Sequence, residues 1–172
     1  GVEGLSGALS EGQLSTLGAM GVNGLRALSA GAVVLWGART LAGQDVAEPQ
    51  FKYVPVRRLA MFIAASITQG LRWTVFAPHG EPLWALIRAR VAEFLHGLLH
   101  QGAFKGDRPQ EAYFVRCDAT TMTQQDIDQG IANVTVGFAP LKPAEFVVIR
   151  VGLWTKEHAH AGAKAQHCQL RT

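Results

Sequence analysis

The sequence predicts an α+β fold: a mixed α/β two-layer domain with a central mixed sheet and two main helices packed on one face. Three observations predict it. Two long segments have helical apolar periodicity, short apolar or alternating runs lie between and after them, and Gly or Pro stands at most junctions. Strands alternating with helices favour crossover connections, and a final series of strands adds antiparallel character.

The chain is predicted to begin with a poorly packed lead-in that precedes the first buried strand. Residues 1–31 are rich in Gly, Ala and Ser and form a predicted lead-in, with a weak helical signal at Ser10–Leu17 capped by Ser10. The apolar run Ala32–Trp36 predicts a strand buried on both faces. Val56–Gln69 has apolar residues three and four apart and predicts the first main helix.

The remaining elements complete a domain predicted to span residues 32–151. Leu71–Ala77 alternates side chains between two faces and predicts a strand, and Glu81–Gln101 is the strongest predicted helix. Three further strands follow, at Ala112–Cys117, Ile131–Phe138 and Ala144–Val151, and a single helical turn is predicted at Thr123–Gln129. Residues 152–172 have few large apolar side chains and are predicted to be a loose polar tail.

Composition excludes several classes of protein. Hydrophobic residues make up 48% of the 172 residues and charged residues 17%, as in a folded chain with its own core. The 16 Lys and Arg exceed the 13 Asp and Glu only slightly and form no basic run, so a nucleic-acid partner is not expected. The apolar stretches are far shorter than the roughly 20 residues that span a bilayer, so no membrane anchor is expected.

The sequence contains no recognisable catalytic motif. It lacks the Gly-x-Ser-x-Gly elbow, the phosphate-binding loop and the dinucleotide fingerprint, so no catalytic or cofactor-binding residue is predicted. His96 and His100 share a helix face, but Gly97 stands where a zinc protease has glutamate, and a solvated face is favoured. A second set of metal-binding residue types lies in the tail with a spacing that matches no closed site: His158, His160, His167 and Cys168. No metal or nucleotide cofactor is therefore predicted.

Two further groups of residues have plain structural interpretations. The string DIDQG at 126–130 resembles the start of a calcium loop but lacks its final glutamate, and is predicted to be a turn capped by Thr123. Trp36, Trp73 and Trp84 are predicted to lie in the core.

Several strings, taken together, resemble one family. They are VVLWGARTL at 33–41, FKYVPVRRL at 51–59, RWTVFAPHGEPLWALIRARVAEFL at 72–95, AYFVRCDATTMTQQDIDQG at 112–130 and VGFAPLKPAEFVVIRV at 136–151. In this order they resemble the C-terminal domain of contractile tail sheath proteins, which occur in tailed phages, phage-tail-like bacteriocins and related injection systems. The most specific pieces are WGART, RCDxTTMTxxDID and APxxPAEFV.

The resemblance implies a structural subunit and not an enzyme. Such a subunit self-assembles into a helical tube around the tail tube and contracts to drive that tube into the target cell. The implied partners are other sheath subunits and the tail tube protein. The implied location is a virion tail or a phage-tail-like particle, including one encoded by a prophage, assembled in the bacterial cytoplasm. The alternative from the element order alone is a monomeric α/β enzyme or ligand-binding module of unknown substrate.

The resemblance also implies that the last strand is donated to a neighbouring subunit. Its interface residues are Glu145, Phe146, Val147, Val148, Ile149, Arg150 and Val151. This segment is apolar on both faces, and Pro140 and Pro143 are expected to discourage it from folding back onto Ile131–Phe138.

A basic-leaning stripe on the helix Glu81–Gln101 is a candidate contact with the tail tube. Its residues are Arg88, His96 and His100, and a merely solvated stripe is the alternative. Changing Arg88 to Glu is expected to weaken tube binding and to leave thermal stability nearly unchanged.

Overall fold

A computed structural model describes residues 4–29, 31–42, 51–141 and 147–155. The chain divides into two compact units, Gly1–Leu59 and Ala60–Arg171. The second unit contains the three-stranded sheet and most of the helical residues, and it therefore holds most of the core.

The first unit contains a short helix and a hairpin. Helix α1, Glu11–Ala19, begins at Ser10, whose hydroxyl accepts a hydrogen bond from the Gln13 amide while the Gln13 side chain accepts one from the Ser10 amide. The helix predicted at Ser10 is therefore confirmed. Strand β1, Gly24–Ala27, pairs antiparallel with β2, Val33–Trp36, so the hairpin crosses the boundary expected at residue 31.

The prediction that β2 is buried on both faces is wrong. Leu35 is 62% exposed and Trp36 is 48% exposed, because among the described residues β2 pairs with β1 in a two-stranded sheet. Of the three tryptophans predicted to lie in the core, only Trp84 is buried, since Trp73 is 40% exposed.

The two main helices are confirmed within a few residues. Helix α2 spans Val54–Gly70 and α3 spans Glu81–His100, and a short α4 follows at Pro109–Ala112. The side chains of α3 that enter the core recur at helical spacing: Leu83, Trp84, Ile87, Val91, Leu95 and Leu98. Within the described residues, none of the helices combines the length and apolar character that crossing a membrane requires.

The strand predicted at Leu71–Ala77 is wrong, because Arg72–Phe76 forms a 3₁₀ helix. Thr74 is fully buried in this helix, and its hydroxyl lies 2.8 Å from the Leu71 carbonyl oxygen, so the polar group is satisfied within one turn. Alternation over seven residues does not distinguish a short strand from a 3₁₀ turn whose buried residues are three apart.

The second unit contains a three-stranded antiparallel sheet. Strands β3 (Tyr113–Arg116), β4 (Ile131–Phe138) and β5 (Val147–Trp154) lie in the order β3-β4-β5. A short helix α5, Gln124–Gln129, precedes β4. The α+β class is therefore confirmed, but the described sheet is antiparallel and not mixed, because residues 71–77 contribute no strand to it.

One face of this sheet forms the core. Helix α3 packs against β3, and the 3₁₀ helix packs against β5. The buried side chains alternate along β4 and β5 as period-two geometry requires: Ala132, Val134, Val136, Phe138, Val147, Ile149, Val151 and Leu153.

Strand β5 pairs with β4 of its own chain along eight residues, from Phe138 opposite Val147 to Ile131 opposite Trp154. The expectation that the prolines keep this segment off β4 is wrong within a single chain. Pro140 and Pro143 precede β5 and so remove none of its amide donors, and Val147 and Ile149 are buried on the core side. The strand also continues through Trp154, three residues beyond its predicted end.

Candidate functional site

The connection between β3 and β4 contains the most specific string of the sequence, and its polar groups bond to one another. The Asp118 carboxylate accepts a hydrogen bond from the Thr120 amide at 2.8 Å, and the Thr121 hydroxyl accepts one from the Asp118 amide at 3.1 Å. Hydrogen bonds from the hydroxyl and amide of Thr120 lower the pKa of Asp118. These side chains therefore hold the connection closed.

The second half of the connection is the capped turn that the sequence predicts. The Asp126 carboxylate accepts a hydrogen bond from the Thr123 amide at 2.8 Å, and the Asp126 amide donates to the Thr123 hydroxyl at 3.1 Å. Gly130 ends α5 with φ of 72°, a left-handed conformation that favours glycine. Hydrogen bonds from the amide and hydroxyl of Thr123 lower the pKa of Asp126.

Cys117 is the first residue of this connection, and its thiol is not activated as a nucleophile. Its side chain is fully buried, and burial raises the pKa of its thiol to about 12. At neutral pH the sulfur is therefore a neutral thiol, whereas nucleophilic attack requires the thiolate.

Arg88 joins α3 to the start of the same connection. Its guanidinium donates a hydrogen bond to the backbone carbonyl of Cys117, and its other terminal nitrogen lies 2.6 Å from the Glu81 carboxylate. The hydrogen bond to Glu81 raises the pKa of Arg88. The expectation that Arg88→Glu leaves stability unchanged therefore conflicts with the structure, because the side chain connects α3 to the β3–β4 connection.

The three candidate tube contacts do not form one cluster. His96 and His100 are exposed neighbours whose Nε2 atoms lie 3.0 Å apart. Arg88 lies eight residues before His96 and is bound to Glu81 and Cys117. In the described ranges no group of three or more His, Cys, Asp or Glu side chains is placed to hold a metal. The tail residues His158, His160, His167 and Cys168 lie outside the described residues.

The residues of the WGART string lie at the end of the β1–β2 hairpin, where contacts with Asn23 account for two of them. The Asn23 side-chain amide donates to the Arg39 carbonyl and its oxygen accepts from the Arg39 amide, both at 2.8 Å. Gly37 has φ of 137°, and a Cβ there would lie 2.6 Å from the Asn23 Oδ1. Arg26 stacks over Trp36 at 4.6 Å, so the exposed indole has a cationic cover.

An exposed apolar groove in the second unit is a feature that the sequence analysis does not predict. It encloses about 400 Å³ and is lined by Ser66, Ile67, Gly70, Leu71, Trp73, Arg90, Val91 and Phe94. Nearby, Phe62 is 52% exposed, with its ring centroid 6.2 Å from that of Phe94. The sequence does contain an indication of this exposed apolar surface, in the consecutive apolar residues Met61, Phe62 and Ile63. Three consecutive residues on a helix point in different directions and cannot all face one core.

The residues predicted to form a donated strand lie at the end of the described chain. Val147, Ile149 and Val151 are buried on the core face of β5, while Arg150 on the opposite face is exposed. Glu145 and Phe146 lie outside the described residues.

Comparisons with known proteins point to one family. The family model of the phage tail sheath C-terminal domain matches residues 46–153. Comparison with curated protein sequences gives no match.

Solved structures are similar over most of the chain. A chain of the anti-feeding prophage (AFP) baseplate is 35% identical, with a TM-score of 0.71 over 86% of this chain and 40% of that one. The PVC sheath complex of an extracellular contractile injection system, in its contracted state, is 33% identical, with a TM-score of 0.67 over 83% of this chain and 40% of that one. The sheath tail protein of Desulfitobacterium hafniense is 13% identical, with a TM-score of 0.64 over 87% of this chain and 34% of that one, and shows the fold alone.

Proposed function

The chain belongs to the phage tail sheath C-terminal domain family, and from this premise we propose that it is a structural subunit of a contractile sheath. In this role it self-assembles into a helical tube around a tail tube and contracts to drive that tube into a target cell. The observation that carries the proposal is the family match over residues 46–153. The chain spans about 40% of the length of the AFP and PVC chains that it resembles, so the whole particle's activity is part of the proposal.

A structural role accounts for the titratable side chains of the β3–β4 connection. The carboxylates of Asp118 and Asp126 accept hydrogen bonds from their own loop, and Cys117 is a buried neutral thiol. Active sites instead hold titratable groups converging on an open pocket. A sheath subunit that is not an enzyme is therefore the better account, and a monomeric enzyme or ligand-binding module has no supporting observation among the described residues.

The proposed partners and location follow from the particles in which the structural relatives occur. The named structural relatives are a sheath complex and a baseplate of contractile particles. We place this chain in a phage tail or phage-tail-like particle, assembled in the bacterial cytoplasm, with copies of itself and a tail tube protein as partners.

The apolar groove of the second unit is the proposed contact with a second copy of the chain. Trp73, which lines the groove, exposes 40% of its surface, and Phe62, whose ring centroid lies 6.2 Å from that of the lining residue Phe94, exposes 52%. Clustered exposed aromatic side chains are typical of protein interfaces, where their burial supplies most of the binding energy. A helical assembly requires a patch on one subunit to meet a different patch on the next, and the groove is one such patch.

The segment Glu145–Val151 is the proposed strand link between subunits. Within one chain, β5 pairs with β4 over eight residues. The same eight pairs can form between β5 of one subunit and β4 of its neighbour, because exchange of an identical element preserves every contact. Exchange then reconciles a donated strand with a folded single chain.

The exposed face of α3 is the proposed contact with the tail tube. His96 and His100 lie on this face with Arg88 two turns earlier. Since Arg88 is engaged with Glu81 and Cys117, the histidines contribute most of the contact, and Arg88 positions the helix.

Sedimentation tests self-association through the groove. The concentrated chain, with and without isolated tail tubes, is expected to pellet as a polymer, and the double variant F62S/W73S is expected to stay in the supernatant. Met20→Ser is a matched control because Met20 is also exposed, at 58%, but lies outside the groove. A chain that stays monomeric at every concentration and in the presence of tubes would contradict the proposal.

A further inference from the structure

The imidazoles of His96 and His100 lie side by side on the solvent-exposed face of α3. Their Nε2 atoms are 3.0 Å apart, their ring centroids are 4.4 Å apart, and the rings are nearly perpendicular. Both residues are exposed to solvent. The sequence alone gives only the spacing of four residues, which also suits a solvated face.

We infer that His96 and His100 form an open two-ligand site for a divalent transition-metal ion of the zinc, nickel or copper class. Zinc lies about 2.0–2.1 Å from each histidine nitrogen. Two such nitrogens on one ion are roughly 3 Å apart when the angle between the bonds is near 90°, or slightly more at a tetrahedral angle. The observed separation therefore needs little rearrangement of either side chain.

The helix holds the two ligands at this spacing. Leu95 and Leu98 anchor the same turns of α3 in the core, with 0% and 8% exposure. The backbone remains ordered to the end of the helix, where the Gln101 amide donates to the Gly97 carbonyl at 3.2 Å. A rigid scaffold lowers the entropy lost when both imidazoles bind one ion.

Metal binding by the two histidines requires only a change of tautomer in one imidazole ring. In the metal-free pair, a distance of 3.0 Å fits one neutral ring donating its Nε2 proton to the Nε2 lone pair of the other. When the ion binds, that proton moves to Nδ1 of the same ring through solvent, and both Nε2 lone pairs become ligands. The site releases no net proton from two neutral imidazoles.

The chemistry of the donors sets the class of ion. Imidazole nitrogen suits zinc, copper and nickel, whereas magnesium and calcium prefer oxygen donors. Two protein ligands leave further coordination positions open, to water or to a donor from another molecule.

Calorimetric titration of the full chain with zinc chloride tests the site. The background variant H158Q/H160Q/H167Q/C168S removes the metal-binding residue types of the tail. In this background one zinc per chain is expected, and adding His96→Gln or His100→Gln should weaken binding by about tenfold or more, equivalent to about 1.4 kcal/mol. The imidazole Nε2 resonances of both residues should shift together in nitrogen-15 spectra.

A register control separates geometry from histidine content. The double variant H100Q/Q101H keeps the number of histidines but turns one imidazole about 100° around the helix, and it should bind zinc as weakly as His100→Gln. Circular dichroism should show unchanged helicity, because the residues are exposed. No zinc binding in the background variant, or binding that is unchanged by His96→Gln or by the register control, would overturn the inference.

Discussion

Arg88 donates a hydrogen bond to the backbone carbonyl of Cys117, 29 residues further along the chain. This contact ties the exposed side of α3 to the start of the β3–β4 connection. The other terminal nitrogen of the guanidinium is held by Glu81. A side chain that the sequence analysis assigns to a candidate tube-contact stripe thus connects a helix to the end of a strand.

Replacing Arg88 is expected to destabilise the second unit. In Arg88→Met the carbonyl of Cys117 loses its charged donor, and a hydrogen bond to a charged group contributes about 1.5–3 kcal/mol to the free energy of unfolding. Urea unfolding should show a loss in that range. Arg90→Met is the matched control, because Arg90 is 63% exposed and its ion pair with Glu93 lies on the surface, and it should cost about 0–1 kcal/mol. Equal losses in the two variants would contradict the assigned role of Arg88.

Replacing Gly37 is expected to disturb the end of the β1–β2 hairpin. In Gly37→Ala the new Cβ would lie 2.6 Å from the Asn23 Oδ1 at a residue with φ of 137°, so strain of about 1–3 kcal/mol is expected. Gly18→Ala, in α1, has open space around its Cβ and should instead stabilise by about 0.5–1 kcal/mol. Hydrogen exchange of the Arg39 amide, which donates to Asn23, measures the local effect. If protection of this amide is unaltered in Gly37→Ala, the two hydrogen bonds between the Asn23 side chain and the Arg39 backbone do not depend on glycine at position 37.

The β3–β4 connection is expected to make folding stability fall at acid pH. Hydrogen bonds lower the pKa values of Asp118 and Asp126 in the folded state. A group with a lowered folded pKa stabilises fully above its unfolded pKa, about 4, and loses that contribution as pH falls through the folded value. Urea unfolding between pH 6 and pH 2.5 should therefore show a fall in the free energy of unfolding of the wild type, and a smaller fall in D118N/D126N. A decline in stability in D118N/D126N that is as steep as in the wild type would refute the role assigned to the two carboxylates.

Elements determined by local chemistry were predictable from the sequence. The caps at Ser10 and Thr123, the left-handed Gly130 and the boundaries of α2 and α3 follow from residue types a few positions apart. The family motif in the β3–β4 connection was also visible, but its function as a closed network of hydrogen bonds was not, because the bond from Thr121 reaches Asn133 on another element.

Features that depend on distant contacts were not predictable. Leu71–Ala77 alternates as a strand does, yet buried Thr74 and its bonds to Leu71 and Trp154 belong to a 3₁₀ helix against β5. Trp73 is apolar on the same segment but remains 40% exposed. Whether β5 pairs within the chain depends on the burial of its core face, which composition near the two prolines does not reveal.

A disulfide pair tests whether β5 is exchanged between subunits. Thr135 and Arg150 are directly opposite on β4 and β5, and opposed residues in antiparallel strands have Cα separations of about 4.5–5.5 Å, within reach of a disulfide. In a C168S background, T135C/R150C should form an intrachain link in the monomer and a ladder of linked chains in the assembled polymer. Thr135→Cys alone should give neither. Intrachain links alone in the polymer would show that the strand stays in its own subunit.

Negative-stain electron microscopy of the concentrated chain, with and without tail tubes, tests the central claim most directly. The account predicts a regular helical layer of subunits, formed around the tubes and lost in F62S/W73S, in which the exposed aromatic groove has become an interface. Bare tubes beside dispersed monomers, with no layer at any concentration, would contradict the assignment of this chain as a sheath subunit.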